Sequence, residues 1–169
     1  METLLFWLLA VIALVASVSM IIQRNPVYSA LFLIVTLLSL AGLFLLLSAY
    51  FLSVIQIIVY AGAIMVLFLF VIMLLDIRRT EAAPSRVKLQ APLGILLGVV
   101  FLLETLLILR SGVIREMAAQ AASPPDPDFG TALALGRALF TGYFFPLQLA
   151  AVLLFVALIG AIVLSKRRW

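Results

Sequence analysis

Apolar residues fill five long blocks of the chain, and polar residues collect between them. The blocks cover residues 4–22, 26–47, 51–75, 92–109 and 146–164. Each is close to the roughly 20 helical residues that cross about 30 Å of hydrocarbon. Asn25 has the side chain of a helix N-cap, and Pro26 suits a first helical turn, so a second helix restarts there. Pro92 and Pro146 repeat the device at the fourth and fifth blocks. Ser48-Ala49-Tyr50 leaves only a very short connection between the second and third. The pattern predicts an all-α, polytopic membrane protein with five transmembrane helices.

The loop over residues 111–145 is the one sizeable piece outside the blocks. Its Ser123-Pro124-Pro125-Asp126-Pro127-Asp128 run predicts irregular chain. Thr131 to Phe140 then reads as a short helix with Leu135 and Leu139 four apart, lying on the membrane surface or against a partner. No internal repeat is visible, so the inverted-repeat plan of many transporters is unsupported.

Composition strengthens the membrane reading. The chain is 67% hydrophobic and 11% charged, against about 45–50% apolar and about 25% charged in soluble domains. A single membrane domain over residues 1–169 is expected, with no room for a soluble one. Met1-Glu2-Thr3 lacks a basic leader, so the first block is expected to be a retained span. With the N-terminus outside, Arg24, Arg78, Arg79, Arg86, Lys88, Lys166, Arg167 and Arg168 fall inside. Only Arg110, Arg115 and Arg137 fall outside, which predicts N-out, C-in topology. Trp7 and Trp169 are placed to anchor the interfaces. The basic tracts flank apolar blocks, a pattern of membrane orientation and not of nucleic-acid binding. The sequence has no Cys and no His, which removes disulfides and the usual ligands of haem, iron–sulfur clusters and zinc.

Few polar side chains enter the spans. Glu104 sits about 4.5 Å past Phe101, near the middle of the fourth. A charge there costs roughly 2.5–3.5 kcal/mol on insertion scales, so the carboxyl must be protonated, paired or hydrated. It reads either as a possible proton relay or as a hydrogen-bonded residue that fixes packing. Asp76, beside Arg78 and Arg79, reads as interfacial. Gly94 and Gly98, and Ala157, Gly160 and Ala161, give the last two spans small faces for close helix approach.

The third span has a different weakness. In VIQIIVYAGAIMVLFLF, residues 54–70, Gln56 and Tyr60 share a face that continues through Ala63 and Leu67. Gly62 costs about 1 kcal/mol in helix propensity relative to Ala. It stands between Ala61 and Ala63 near mid-span. Two readings are open: a close helix–helix contact at Gly62, or a local change of hydrogen-bond register such as a π-bulge.

The run VIQIIVYAGAIMVLFLFVIMLL, residues 54–75, closely resembles the signature span of subunit J of proton-pumping NADH–quinone oxidoreductase. This is the family of mitochondrial chain 6 of respiratory complex I. Asn25-Pro26, LGRALFTGYFFP (residues 135–146) and AAVLLFVALIGAIVL (residues 150–164) extend the likeness over most of the chain. One departure stands out. Gln148 occupies a place shortly after the last span's proline where many members carry an acid, so no carboxylate role transfers there.

The resemblance implies a membrane-arm subunit beside those related to mitochondrial chains 1, 3 and 4L, near the quinone site and the antiporter-like subunits. Short spans and the charge asymmetry suit a bacterial inner (cytoplasmic) membrane, and the resemblance implies no cofactor in this chain. FMN, iron–sulfur clusters and quinone belong to the rest of the complex, and no independent catalysis is expected. It also implies a third span that switches between α and π forms and gates the water path linking quinone chemistry to proton translocation. Tyr60, Ala61, Gly62, Ala63, Met65, Val66 and Phe68 are the residues of that gate. In the regular form Met65, Leu67 and Phe68 would block water; a bulge near Gly62 would turn one side by about 100°. Competing classes are a purely structural subunit, an independent small transporter, and the equivalent subunit of a membrane-bound hydrogenase or cation/proton antiporter complex.

Overall fold

The computed structural model describes residues 1–75, 90–112, 114, 116–117 and 128–166. Asp76, Arg78, Arg79, Arg86, Lys88, Arg115, the 123–127 stretch and residues 167–169 lie outside the described residues. Five helices are long and apolar enough to cross a membrane, and among the described residues there is no strand. They are α1 (Glu2–Ile22), α2 (Pro26–Leu46), a third span from Tyr50 to Leu74, α5 (Gln90–Arg110) and α7 (Phe144–Ser165). The third span is built from α3 (Tyr50–Ile55), a π-helical segment (Gln56–Ile64) and α4 (Met65–Leu74). A short helix, α6 (Ala132–Thr141), precedes α7. Ser123–Asp128 was expected to be irregular, and its described end, Asp128, stands in a turn.

The chain divides into two compact units. The first holds residues Met1–Leu67 and Pro127–Trp169, the second Phe68–Asp126. In the first unit α2 is the central helix, packed against α1 on one side and against α3 and the π segment on the other. Small residues make this possible. Ala16 of α1, Ala30, Ser39 and Ala41 of α2, and Ser53 of α3 are buried. A Cβ added to Gly42 would lie 2.8 Å from the Leu9 Cδ1, so a glycine there lets α1 approach α2. Lipid tails are as apolar as leucine and give helices no hydrophobic reason to associate; close backbone approach and interhelical hydrogen bonds supply the association instead. Ser29 Oγ donates to the Met20 carbonyl at 2.8 Å, and Ser53 Oγ donates to the Ala41 carbonyl at 2.8 Å.

The helix ends follow from their caps. Asn25 Oδ1 accepts from the Val27 N–H at 2.9 Å, which fixes the α1–α2 turn before Pro26. At the other end of α2, Ser48 takes a left-handed conformation, φ 60°. The Ser48 and Ala49 N–H groups bond back to the Leu45 and Phe44 carbonyls, at 3.1 and 2.9 Å, the paired bonds of a Schellman turn. Pro146 and Pro92 stand in first turns as expected, though α7 and α5 begin two residues earlier, at Phe144 and Gln90. A first-turn residue has no N–H to give to its own helix, so proline costs nothing there. Thr131, expected inside the short helix, is instead its N-cap, accepting from the Ala134 N–H at 3.2 Å.

Candidate functional site

The register of the third span is set at its two junctions. At the entry, the Gln56 N–H still reaches the Leu52 and Ser53 carbonyls, the reach of an α-helix. At the exit, the Met65 N–H reaches back five residues to the Tyr60 carbonyl, and also to Gly62. Nine residues between these points are π-helical. The π form is rare and is mostly found as single turns, frequently at functional sites. Of the sequence-derived gate residues, Tyr60, Ala61, Gly62 and Ala63 lie inside this segment, and Met65, Val66 and Phe68 lie in the regular helix after it.

The extra residue has a directional consequence. Ser53 faces α2, because its hydroxyl bonds the Ala41 carbonyl. In an unbroken α-helix the positions that return to the Ser53 face are seven and eleven residues on, Tyr60 and Ile64, each within about 20°. Ala61 and Met65 would stand roughly 80° and 120° away. The structure shows the reverse. Ala61 and Met65 are buried, 7% and 4% exposed, while Tyr60 and Ile64 are 49% and 51% exposed. The π register has moved each buried position one residue along the chain. A small alanine then meets α2 where the packing is close, and the Tyr60 phenol points away from it.

Gly62 belongs to this geometry. A Cβ built on it would lie 3.1 Å from the Ile57 carbonyl oxygen, five residues earlier, and among the described residues it meets no other helix within 4 Å. The glycine therefore relieves a crowded turn of its own helix. Of the two sequence readings at Gly62, the register change describes what is found within this chain.

The entry end of the span is held on both sides. Ser53 bonds α2, and the Phe51 N–H donates to the Gly130 carbonyl at 2.9 Å. Phe51 sits in the first turn of α3, where the N–H has no partner in its own helix. Gly130 takes φ +78°, and a Cβ there would collide with the Ser48 carbonyl oxygen. Neither Ser53 nor Gly130 was singled out from sequence. Glycine in a turn-forming stretch is common, and a serine within an apolar helix reads as a space-filler. Around this contact Ala49, Phe51, Leu52, Phe129, Ala134 and Leu135 line an apolar cavity of about 310 Å³.

Glu104 lies in α5, in the second unit. Thr105, beside it, donates to the Phe101 carbonyl at 2.8 Å. Gln148 is in the second turn of α7. Among the described residues no cluster of three His, Cys, Asp or Glu is placed to hold a metal ion. With no Cys or His anywhere in the sequence, the donor set does not fit an iron–sulfur cluster or haem.

The described residues form a helical membrane protein whose third span changes hydrogen-bond register near its middle. Residues 16–164 match the family of NADH-ubiquinone/plastoquinone oxidoreductase chain 6. The chain is 43% identical over 164 residues to NADH-quinone oxidoreductase subunit J of Rhodobacter capsulatus, covering 96% of this chain and 80% of that protein. It is 38% identical over 180 residues to NADH-ubiquinone oxidoreductase chain 6 of Prototheca wickerhamii, covering 97% and 86%. Subunit J of Rickettsia bellii is 33% identical over 164 residues. The chain belongs to the chain 6/subunit J family and is a multi-pass membrane subunit of NADH–quinone oxidoreductase.

Proposed function

We propose that the third span is the two-register gate through which quinone chemistry is coupled to proton translocation in this enzyme. The observation that carries the reading is the one-residue displacement of the buried edge, from Tyr60 and Ile64 to Ala61 and Met65. The entry half is held by Ser53 and Phe51, so conversion to α turns the chain beyond the segment by about 100°, one residue's worth of rotation. Tyr60 and Ile64 then face α2, and Ala61 and Met65 face outward. The Tyr60 hydroxyl both donates and accepts, so in the π register it can join a water chain or a neighbouring subunit. In the α register it is withdrawn. Val66 and Phe68, each about half exposed in the π register, turn with Met65 and change what lines the path.

The proton carriers in this reading stand mostly on neighbouring chains, the subunits related to mitochondrial chains 1, 3 and 4L and the antiporter-like subunits. FMN, iron–sulfur clusters and quinone are held elsewhere in the complex. The expected setting is a bacterial inner membrane, N-terminus out and C-terminus in, and this chain catalyses nothing alone. Gly62→Leu is the direct test. The variant complex should assemble and pass electrons from NADH to quinone while moving fewer protons per electron. Pumping equal to wild type would remove the gate and leave a structural subunit.

A further inference from the structure

The fourth span sorts its residues by side in a way the third-span gate does not use. Between positions 93 and 109 of α5, the residues that are not aliphatic are Gly94, Gly98, Phe101, Glu104 and Thr105. At 100° per residue all five fall in one stripe about 120° wide, which Ile108 continues. The remaining two-thirds of the surface is leucine, isoleucine and valine alone, such as Leu96, Val99, Leu103 and Leu106. A helix facing lipid all round has no reason to collect its glycines and its polar side chains on one side. The aliphatic side suits acyl chains, and the stripe suits another helix.

Glu104 identifies the chemistry of that helix. Thr105 satisfies its own hydroxyl on the Phe101 carbonyl, so Glu104 is the stripe's outward-reaching polar group. A carboxyl at this depth is protonated, paired or hydrated, and the stripe offers Glu104 to a neighbouring helix as one half of a pair. The chain cannot supply a basic partner. It has no His, and its Lys and Arg residues all fall outside the inner part of the spans. Arg110, at the end of α5, is about 9 Å further along the axis and about 120° round from Glu104. We propose that the Glu104 stripe of α5 docks a transmembrane helix of another subunit, one that presents a Lys, Arg or His to Glu104 near the membrane midplane. Glu104 is then a docking residue that fixes this contact, and the proton path of the third span does not pass through it. The proposal is independent of the register of the π segment.

The test uses the intact complex in its native membrane. A photoreactive phenylalanine replaces Phe101 on the stripe or Leu103 on the aliphatic side, and the cross-linked peptides are mapped. The expected result is an adduct from position 101 to a helix of another subunit with a basic residue within one turn of the contact. Position 103 should give lipid adducts. A position 101 adduct to lipid, to this chain's own spans, or to a helix without a basic residue overturns the proposal. In a second arm, Glu104→Lys should lower the amount of this chain retained in the purified complex several-fold. Exchanging the identified base for Glu should restore it. Full retention of Glu104→Lys, or no rescue by the reversed partner, also overturns it. Failure of the gate reading would show instead as wild-type pumping in Gly62→Leu, with the results of both Glu104 arms unchanged.

Discussion

Gly62→Ala adds one methyl group at the position where the two registers differ most. Both registers are helical, so the backbone entropy that alanine saves is saved in each and cancels between them. The added carbon does not cancel. In the π register it lies 3.1 Å from the Ile57 carbonyl oxygen, a few tenths of an ångström inside ordinary contact, and the obstacle is backbone rather than a flexible side chain. In the α register the Gly62 N–H turns to the carbonyl four residues back, Ile58, and the Ile57 carbonyl recedes. Overpacking costs typically run about 1–3 kcal/mol. The low end, about 1 kcal/mol, moves a two-state ratio roughly fivefold, since 1.4 kcal/mol is tenfold. A complex that rests equally in the two forms would shift to about one π for five α. Imaging the resting complex and sorting particles by the Met65 N–H acceptor, Tyr60 or Ala61, reads this ratio. A π fraction unchanged or increased in Gly62→Ala would refute the reasoning, because the crowding would then not discriminate between registers.

Two further substitutions test the fixed end of the span. Ser53→Ala removes the bond to the Ala41 carbonyl; interhelical hydrogen bonds in membranes average about 0.6 kcal/mol and reach about 1.7. The complex should assemble and lose this subunit at a lower detergent concentration than wild type, with a loss at the small end of that range. Gly130→Ala places a side chain at φ +78° and against the Ser48 carbonyl; left-handed backbone alone costs about 1–2 kcal/mol for a residue with a Cβ. The loop should lift, and hydrogen exchange at the Phe51 amide should rise by about tenfold for each 1.4 kcal/mol lost. Gly136→Ala is the control, because its added Cβ meets nothing within 4 Å among the described residues.

Much of the fold was legible because the membrane imposes simple rules. Blocks of about 20 apolar residues must be helices, since an unpaired peptide group in hydrocarbon is too costly. Asn25 and Pro26 marked the start of α2 because capping chemistry is local to those two residues. The third span was legible only as a weak place. Gly62 between two alanines says that the helix yields easily there, and the expected change was a bulge near Gly62. The structure begins the π segment at Gln56, six residues earlier. Its buried edge carries Ala61 and not Tyr60, and burial of that kind has no signature in a run of apolar residues. Ser48 was equally silent, because serine seldom announces a left-handed turn. The resemblance over residues 54–75 pointed to the segment that the structure shows in π form. Composition alone left two readings of Gly62 open.

The central claim is that the third span works in two registers, and the acceptor of the Met65 N–H reports which one is present. The complex should be imaged at rest and during NADH-driven turnover. The account predicts two populations whose ratio changes with turnover. In one, Met65 bonds the Tyr60 carbonyl and Ala61 packs on α2, as in the structure described here. In the other, Met65 bonds the Ala61 carbonyl, and Tyr60 and Ile64 face α2. A single register, with Ala61 and Met65 buried in every state of a complex that is pumping protons, would contradict it.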